Sequence, residues 1–219
     1  MTDNQSVEAS LGAHRIGLVA AAVGGVAAAA AYAGSVLLGG LIVPGYSHLA
    51  NSVSELTSPG APHRALLGAG FAIYNVAVAA LGTGVLLSSA RRGLTTVAGV
   101  LLIACGVAGI LMIEPFPQDP MGTPVTGAGT VHIVLAAISA VTLVAAAVLL
   151  FFGWRGDPVW SRLRLPSLVA AALILITGGV GAAMISTNVF GLFERFTQVS
   201  FLAWFAAIGI TAITRLRHR

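Results

Sequence analysis

Three ionisable side chains border a break in the middle of an otherwise apolar sequence. Residues 114–132 contain four prolines and three glycines, which remove backbone donors and loosen the chain, so this stretch is predicted to be a loop. Glu114 and Asp119 lie near its start, and His132 ends it where the next apolar run begins. We expect the three groups to converge at one membrane boundary, where carboxylates and an imidazole could bind a ligand or a metal ion.

The connection before the second apolar run carries further polar residues. Ser52 and Glu55 have the spacing of a capping box, which predicts a short interfacial helix. A carboxylate this close to lipid needs a partner, whether Glu55 belongs to a site or only caps the helix. His63 and Arg64 begin the second run, where the helix dipole disfavours cations. We therefore expect an anion there, which could be the carboxylate of Glu55, Glu114 or Asp119, a lipid phosphate or a substrate; the alternative is that Arg64 is an ordinary membrane-interface arginine.

A third polar group begins the last apolar run. Glu194 and Arg195 precede this run, and Gln198 lies four residues after Glu194, so Glu194 and Gln198 share one face of a helix. Two interpretations stay open at this point. The side chains could point into a helix bundle, or they could form a helix cap with a surface ion pair, which contributes little to stability.

Composition defines the environment of these groups. Hydrophobic residues make up 57% of the 219 residues, charged residues make up 8%, and the mean hydropathy is +0.95, values outside the range of soluble domains. The sequence therefore predicts an all-α integral membrane protein whose partner is the lipid bilayer, and we expect no nucleic-acid partner. It forms one six-helix transmembrane bundle at residues 16–214, with spans at 16–43, 65–88, 94–113, 131–152, 165–185 and 196–213.

The arginines predict the orientation of this bundle. All eleven basic residues are arginine, and nine of them fall on one side, whereas Arg64 and Arg195 fall on the other. Because basic residues concentrate on the cytoplasmic side, both termini are predicted to be cytoplasmic. They form a polar, disordered tail at residues 1–15 and a basic tail at residues 215–219. The three polar groups then face outward, so any chemistry is expected outside the cytoplasm.

Several short motifs follow one another along the chain: Asn-Ser-Val-Ser-Glu-Leu at 51–56, Phe-Pro-Gln-Asp at 116–119, His132, Gly-Leu-Phe-Glu-Arg at 191–195, and Trp204. Their order resembles the bacterial and archaeal six-span family named domain of unknown function 998. The resemblance implies that Ser54, Glu55, Asp119 and His132 belong to one site, and that the chain resides in a bacterial plasma membrane. The family often has Gln before the arginine of the last motif, where this chain has Glu194.

Three functions remain open on the sequence. In the first, the outward groups bind a lipid headgroup or a small ligand without a cofactor, and the arginines would hold an anion. The candidate residues for this function are Ser54, Glu55, Arg64, Glu114, Asp119, His132, Glu194 and Arg195. No Asp, Glu, Lys, Arg or His lies deep within a predicted span, which argues against an ion-coupled pump.

In the second function, the protein is a membrane hydrolase that uses zinc-activated water on a lipid or lipid-linked ester. Its metal ligands would be Asp119, His132, His48 and His63, although no zinc motif with paired histidines supports this set. In the third, a structural or accessory role, the outer polar groups only satisfy one another.

Overall fold

The computed structural model describes residues 2–90 and 93–218 of the chain. Within these residues six helices occur and no strand: α1 Thr2–Ile42, α2 Arg64–Ser88, α3 Leu94–Ile113, α4 Gly127–Gly153, α5 Arg164–Ala183 and α6 Phe190–Arg217. Two short 3-10 turns, Ser54–Thr57 and Ser161–Leu163, lie in the connections. All six helices are long and apolar enough to cross a membrane. The predicted all-α, six-helix fold is therefore confirmed, and the chain is a multi-pass membrane protein.

The first helix begins earlier than the sequence predicted. α1 starts at Thr2, so residues 2–15 are helical and not disordered as predicted, while their assignment to a cytoplasmic tail stays a prediction. The segment contains no proline, and a helix nucleated in the apolar run extends readily through good helix formers such as Glu8, Ala9 and Leu11. The part of α1 that is long and apolar enough to cross a membrane runs from Glu8 to Ile42.

Two other helices begin several residues before the predicted one, and both changes matter for the site. α4 begins at Gly127 because the hydroxyl of Thr126 caps it. α6 begins at Phe190, so Glu194 and Arg195 lie within its first turns and not in the connection before it. The carboxylate and the guanidinium are therefore held by a regular helix.

The helices form a closed ring. Each helix packs against the helices before and after it in the sequence, and α6 packs against α1. Neighbouring helices are antiparallel, so the connections α1–α2, α3–α4 and α5–α6 lie at one end of the ring, which we call the site end. The opposite end, which we call the terminal end, carries the start of α1, the end of α6 and most of the described arginines; Arg91, Arg92 and Arg219, which the prediction also placed there, lie outside the described residues.

Glycines allow the helix backbones in the ring to approach closely. A Cβ atom on Gly84 of α2 would lie 2.4 Å from the Ala21 nitrogen of α1, and one on Gly25 would lie 2.4 Å from the Phe205 carbonyl oxygen of α6. Such contacts leave no room for a side chain. Gly179 of α5, by contrast, is exposed, and a Cβ atom there would meet no other atom within 4 Å.

A buried carboxylate organises the terminal end. Asp157 is 1% exposed and accepts hydrogen bonds from the backbone nitrogens of Ala90, Val159 and Trp160 at 2.9, 2.8 and 3.0 Å. The ring of Trp160 stacks on that of Trp154, with centroids 5.4 Å apart. These contacts fasten the α4–α5 connection to the end of α2 and close this end of the bundle.

The close approach of α1 and α2 gives a test of the packing. Alanine raises helix propensity over glycine by about 1 kcal/mol, so Gly34→Ala, at an exposed position of α1 with open space around it, should leave the melting temperature unchanged or raise it. Gly84→Ala should lower the melting temperature in detergent, because overpacking costs about 1–3 kcal/mol. Equal shifts of the same sign in both variants would contradict the close α1–α2 contact.

Candidate functional site

Two cavities open at the site end and share part of their walls. The first has a volume of about 330 Å³, and we call it the polar chamber after the polar residues of the α1–α2 and α3–α4 connections in its wall, which also contains apolar residues such as Met121, Val125 and Ile133. The second, the central chamber, has a volume of about 360 Å³, lies inside the ring and is lined by residues of all six helices. Both are lined by Ser54, Ala136, Ile185, Phe190 and Glu194, so the two chambers meet at these residues.

The α1–α2 connection folds into the predicted capping box. Glu55 N donates to Ser52 Oγ at 3.3 Å, and Ser52 N donates back to Glu55 Oε1 at 2.7 Å. Asn51 Nδ2 donates to the second carboxylate oxygen of Glu55 at 2.6 Å. Glu55 lines the polar chamber, but both of its carboxylate oxygens accept hydrogen bonds from its own connection. Its partners are therefore Asn51 and Ser52, and not a distant cation.

Two residues of α6 fasten this connection to the bundle. Glu194 Oε2 accepts hydrogen bonds from Val53 N at 2.9 Å and from Arg195 Nη1 at 3.1 Å. The same Arg195 nitrogen donates to the carbonyl oxygen of Asn51 at 2.6 Å, and Nη2 donates to the hydroxyl of Tyr46. Glu194 Oε1 accepts no hydrogen bond from any described residue, although Glu194 lines both chambers.

Tyr46 completes this network, and no pattern in the sequence indicated it. Its hydroxyl donates to the Ser52 carbonyl oxygen at 3.0 Å. Burial raises the pKa of Tyr46 well above its ordinary value, against the opposing effect of the Arg195 cation. The phenol therefore stays neutral, so it can accept from Arg195 while donating to Ser52.

Arg64 and Glu114 form an ion pair away from the chambers. Arg64 Nη2 contacts Glu114 Oε1, while Arg64 Nε donates to the Thr57 carbonyl oxygen at 2.9 Å. The anionic partner expected for Arg64 is therefore the carboxylate at the end of α3. Neither residue lines the polar or the central chamber. The predicted convergence of Glu114 with Asp119 and His132 does not occur.

Asp119 orders the start of α4. Its two carboxylate oxygens accept hydrogen bonds from Thr126 N at 2.7 Å and from Thr126 Oγ1 at 2.8 Å. Thr126 Oγ1 in turn accepts from Gly129 N at 3.1 Å and caps the helix. A Cβ atom on Gly129 would lie 1.9 Å from Asp119 Oδ2, so the contact requires glycine at that position. Asp119 lines the polar chamber, but both of its oxygens are occupied by this turn.

His132 contacts both the α1–α2 and the α3–α4 connection, through the two nitrogens of its ring. Nδ1 lies 2.9 Å from the Phe116 carbonyl oxygen, and Nε2 lies 3.0 Å from Ser54 Oγ. His132 is 5% exposed, whereas Ser54 is half-buried and lines both chambers. The resemblance implied that Ser54 and His132 share a site, and the structure places them in direct contact.

The predicted zinc ligands are not gathered. His48 packs edge-on against the Tyr46 ring, and its pKa is lowered by burial and by the nearby Arg195 cation. His63 is exposed at the start of α2 in a left-handed conformation. Among the residues that the structure describes, no group of three or more His, Cys, Asp or Glu side chains could hold a metal ion.

Comparison with known proteins gives one match for this chain. A family model described as "Protein of unknown function (DUF998)" matches residues 26–211, which is most of the chain. The chain belongs to this family. The match covers the contact between Ser54 and His132, the capping box and the Glu194–Arg195 network. No curated protein and no solved structure matched the chain.

Replacement of Arg195 tests the hydrogen-bond network by which α6 holds the α1–α2 connection at the site end. Lysine keeps the charge but cannot donate in several directions from a planar group, so Arg195→Lys should lose at least two hydrogen bonds, at about 1 kcal/mol each. We expect a lower melting temperature in detergent. Arg217→Lys, at an exposed position of α6, serves as the control and should leave the melting temperature unchanged. Equal melting temperatures for both variants would show that the network contributes nothing to stability.

Proposed function

We propose that this membrane protein binds an amphiphilic molecule, a lipid or a lipid-like compound, across its two chambers. The observation that carries this proposal is that a mainly apolar chamber whose wall also holds the carboxylates of Glu55 and Asp119 meets the chamber inside the helix ring at Ser54 and Glu194. The polar end of the ligand would lie in the polar chamber and its apolar part in the central chamber. Each chamber alone has a volume within the usual range of ligand pockets, about 300–1,000 Å³.

The central chamber suits an apolar chain. Most of its wall consists of aliphatic, aromatic and glycine residues contributed by the six helices. Ser139, Asn75 and Gln198 add a few polar atoms, and Asn75 Nδ2 is already engaged by the Phe71 carbonyl oxygen at 2.9 Å. Burial of a hydrocarbon chain there would remove apolar surface from both the ligand and the protein, which is favourable.

The charges around the polar chamber favour a head with hydrogen-bond donors or a positive charge. Three carboxylates line it, those of Glu55, Asp119 and Glu194, and no arginine does. Arg64 and Arg195 are engaged by carboxylate and carbonyl oxygens. The expectation that these arginines bind an anionic headgroup therefore has no support. Glu194 Oε1, which accepts no hydrogen bond from a described residue, is the acceptor that such a head would meet.

The placement of the site relative to the cell is part of the same proposal. We place the site end outside the cytoplasm and the chain in a bacterial plasma membrane. The distribution of arginines supports this orientation, since Arg64 and Arg195 are the two described arginines at the site end. The polar chamber would then receive its ligand from the outer leaflet or from the space outside the membrane.

Narrowing the central chamber tests whether an apolar chain occupies it. Gly178 lines the chamber, and a Cβ atom there has its nearest neighbour 3.8 Å away, so leucine would fill part of the volume without a backbone clash. We expect native mass spectrometry in mild detergent to show a co-purified amphiphile on the natural protein and a loss of at least about tenfold in Gly178→Leu, which is about 1.4 kcal/mol of binding. Gly179→Leu, on the exposed face of the same helix, is the matched control and should retain the ligand.

The proposal would be contradicted by a natural protein that carries no amphiphile, or by equal retention in Gly178→Leu and Gly179→Leu. The first result would favour a structural or accessory role. Metal analysis of the same samples tests the zinc hydrolase separately, because stoichiometric zinc lost in Asp119→Asn would support that alternative.

Neutralising Glu194 tests the preference for the head. Glu194→Gln keeps an oxygen that can accept from Val53 N but removes the negative charge beside the chambers. A charged hydrogen bond contributes about 1.5–3 kcal/mol, so a long-chain alkylamine should bind at least about tenfold more weakly, while the corresponding alcohol should change little. Glu114→Gln, outside both chambers, is the control. Equal loss of amine and alcohol binding would contradict a charge preference.

A further inference from the structure

We infer that Ser54 and His132 form a nucleophile and base pair that cleaves a carboxylic ester in the bound amphiphile, without a metal ion. This inference rests on the proposed binding function, since the substrate would be the amphiphile itself. Its geometric basis is the 3.0 Å contact between Ser54 Oγ and His132 Nε2 at the junction of the two chambers. An activated serine is recognised by such contact with a base that a third group orients.

The direction of the hydrogen bonds assigns these roles. A carbonyl oxygen can only accept, so His132 Nδ1, which lies 2.9 Å from the Phe116 carbonyl oxygen, carries the proton of the neutral ring. Nε2 then has a free lone pair, and Ser54 must be the donor in the contact between them. The Phe116 carbonyl holds the tautomer and the ring orientation, as a carboxylate does in the familiar serine triads.

Accessibility is divided between the two residues as the reaction requires. Ser54 is half-buried and lines the polar chamber, the central chamber and a third cavity of about 100 Å³. His132 is 5% exposed and lines the polar chamber and the third cavity beside Ser54. An amphiphile that spans the two chambers would place the bond between its head and its chain near Ser54. An ester at that bond is therefore the substrate class that the geometry favours.

Gln118 offers a donor for the charge that develops during the reaction. Its side-chain oxygen accepts a hydrogen bond from Ser52 Oγ at 3.2 Å, which directs the amide group. The side-chain NH2 of Gln118 donates to no described residue, and Gln118 lines the polar chamber together with Ser54. A side-chain amide can stabilise the oxyanion of a tetrahedral intermediate. We assign this role to Gln118.

The reaction proceeds in two steps. Ser54 Oγ bonds to the acyl carbon while its proton passes to His132 Nε2, and the bond from that carbon to the alcohol oxygen breaks as the oxygen takes the proton from His132. Water then attacks the acyl-serine and gives its proton to His132, and Ser54 leaves the acyl carbon with that proton. The products are one alcohol and one carboxylic acid, and the enzyme is regenerated.

The test uses the purified full chain and a long-chain alkyl fluorophosphonate, which forms a stable adduct with an activated serine. We expect one adduct by intact mass, located by peptide mapping at Ser54 and absent from Ser47 and Ser52. Ser54→Ala should abolish it. His132→Gln keeps a donor for the Phe116 carbonyl but has no basic nitrogen, so it should slow labelling, and hydrolysis of a long-chain p-nitrophenyl ester, by at least about 100-fold.

The outcomes separate this inference from the binding proposal. No adduct at Ser54 in protein that retains its amphiphile would overturn the inference and leave the binding proposal intact. An adduct that forms equally fast in His132→Gln would also overturn it, because the contact would then only hold the connection. Labelling of Ser54 in protein that retains no amphiphile would support the pair and contradict binding of a resident ligand. If Ser54→Ala fails to fold, alkylation of Ser54→Cys by iodoacetamide should be slowed by His132→Gln, and equal rates would overturn the inference.

Discussion

Non-helical backbone at the edge of the apolar core must have its amide and carbonyl groups satisfied by protein, and the site end is built around that constraint. The connection between α1 and α2 meets it with side chains, because the capping box alone cannot pair every group. Glu194 accepts from Val53 N, Arg195 donates to the Asn51 carbonyl oxygen, and Tyr46 donates to that of Ser52. α6 therefore has to begin early, at Phe190, to bring Glu194 and Arg195 to this depth.

Most charged side chains at the site end form hydrogen bonds or ion pairs within the protein. Glu55 caps its own turn, Asp119 holds the start of α4, and the two arginines are engaged by oxygens of the protein. Three groups that line the chambers can still form a further hydrogen bond. They are the hydroxyl of Ser54, the amide NH2 of Gln118 and one oxygen of Glu194. Most of the charge thus supports the scaffold, and the groups with free hydrogen-bonding capacity at the chambers are neutral apart from one carboxylate oxygen.

The sequence predicted the helices of this structure better than the contacts between its polar side chains. Hydropathy identified the spans because each is a long apolar run, and the spacing of Ser52 and Glu55 identified the capping box. The partner of Arg64 was correctly sought among nearby carboxylates. Tyr46 could not be found, since a tyrosine in a connection carries no pattern. The predicted meeting of three ionisable groups failed because each group has another partner. Glu114 pairs with Arg64, Asp119 accepts from Thr126, and His132 contacts the Phe116 carbonyl oxygen and Ser54.

The two ends of the bundle allow the structural interpretation to be weighed against a ligand-binding one. At the terminal end, both oxygens of Asp157 accept hydrogen bonds and its carboxylate is buried, as expected of a residue that only holds a fold. At the site end, one oxygen of Glu194 has no described partner, although the residue lies between two chambers. A carboxylate that served only the scaffold would have been satisfied like Asp157. The unused oxygen, set beside a serine whose hydroxyl is held by a histidine, therefore favours a site that is completed by a ligand.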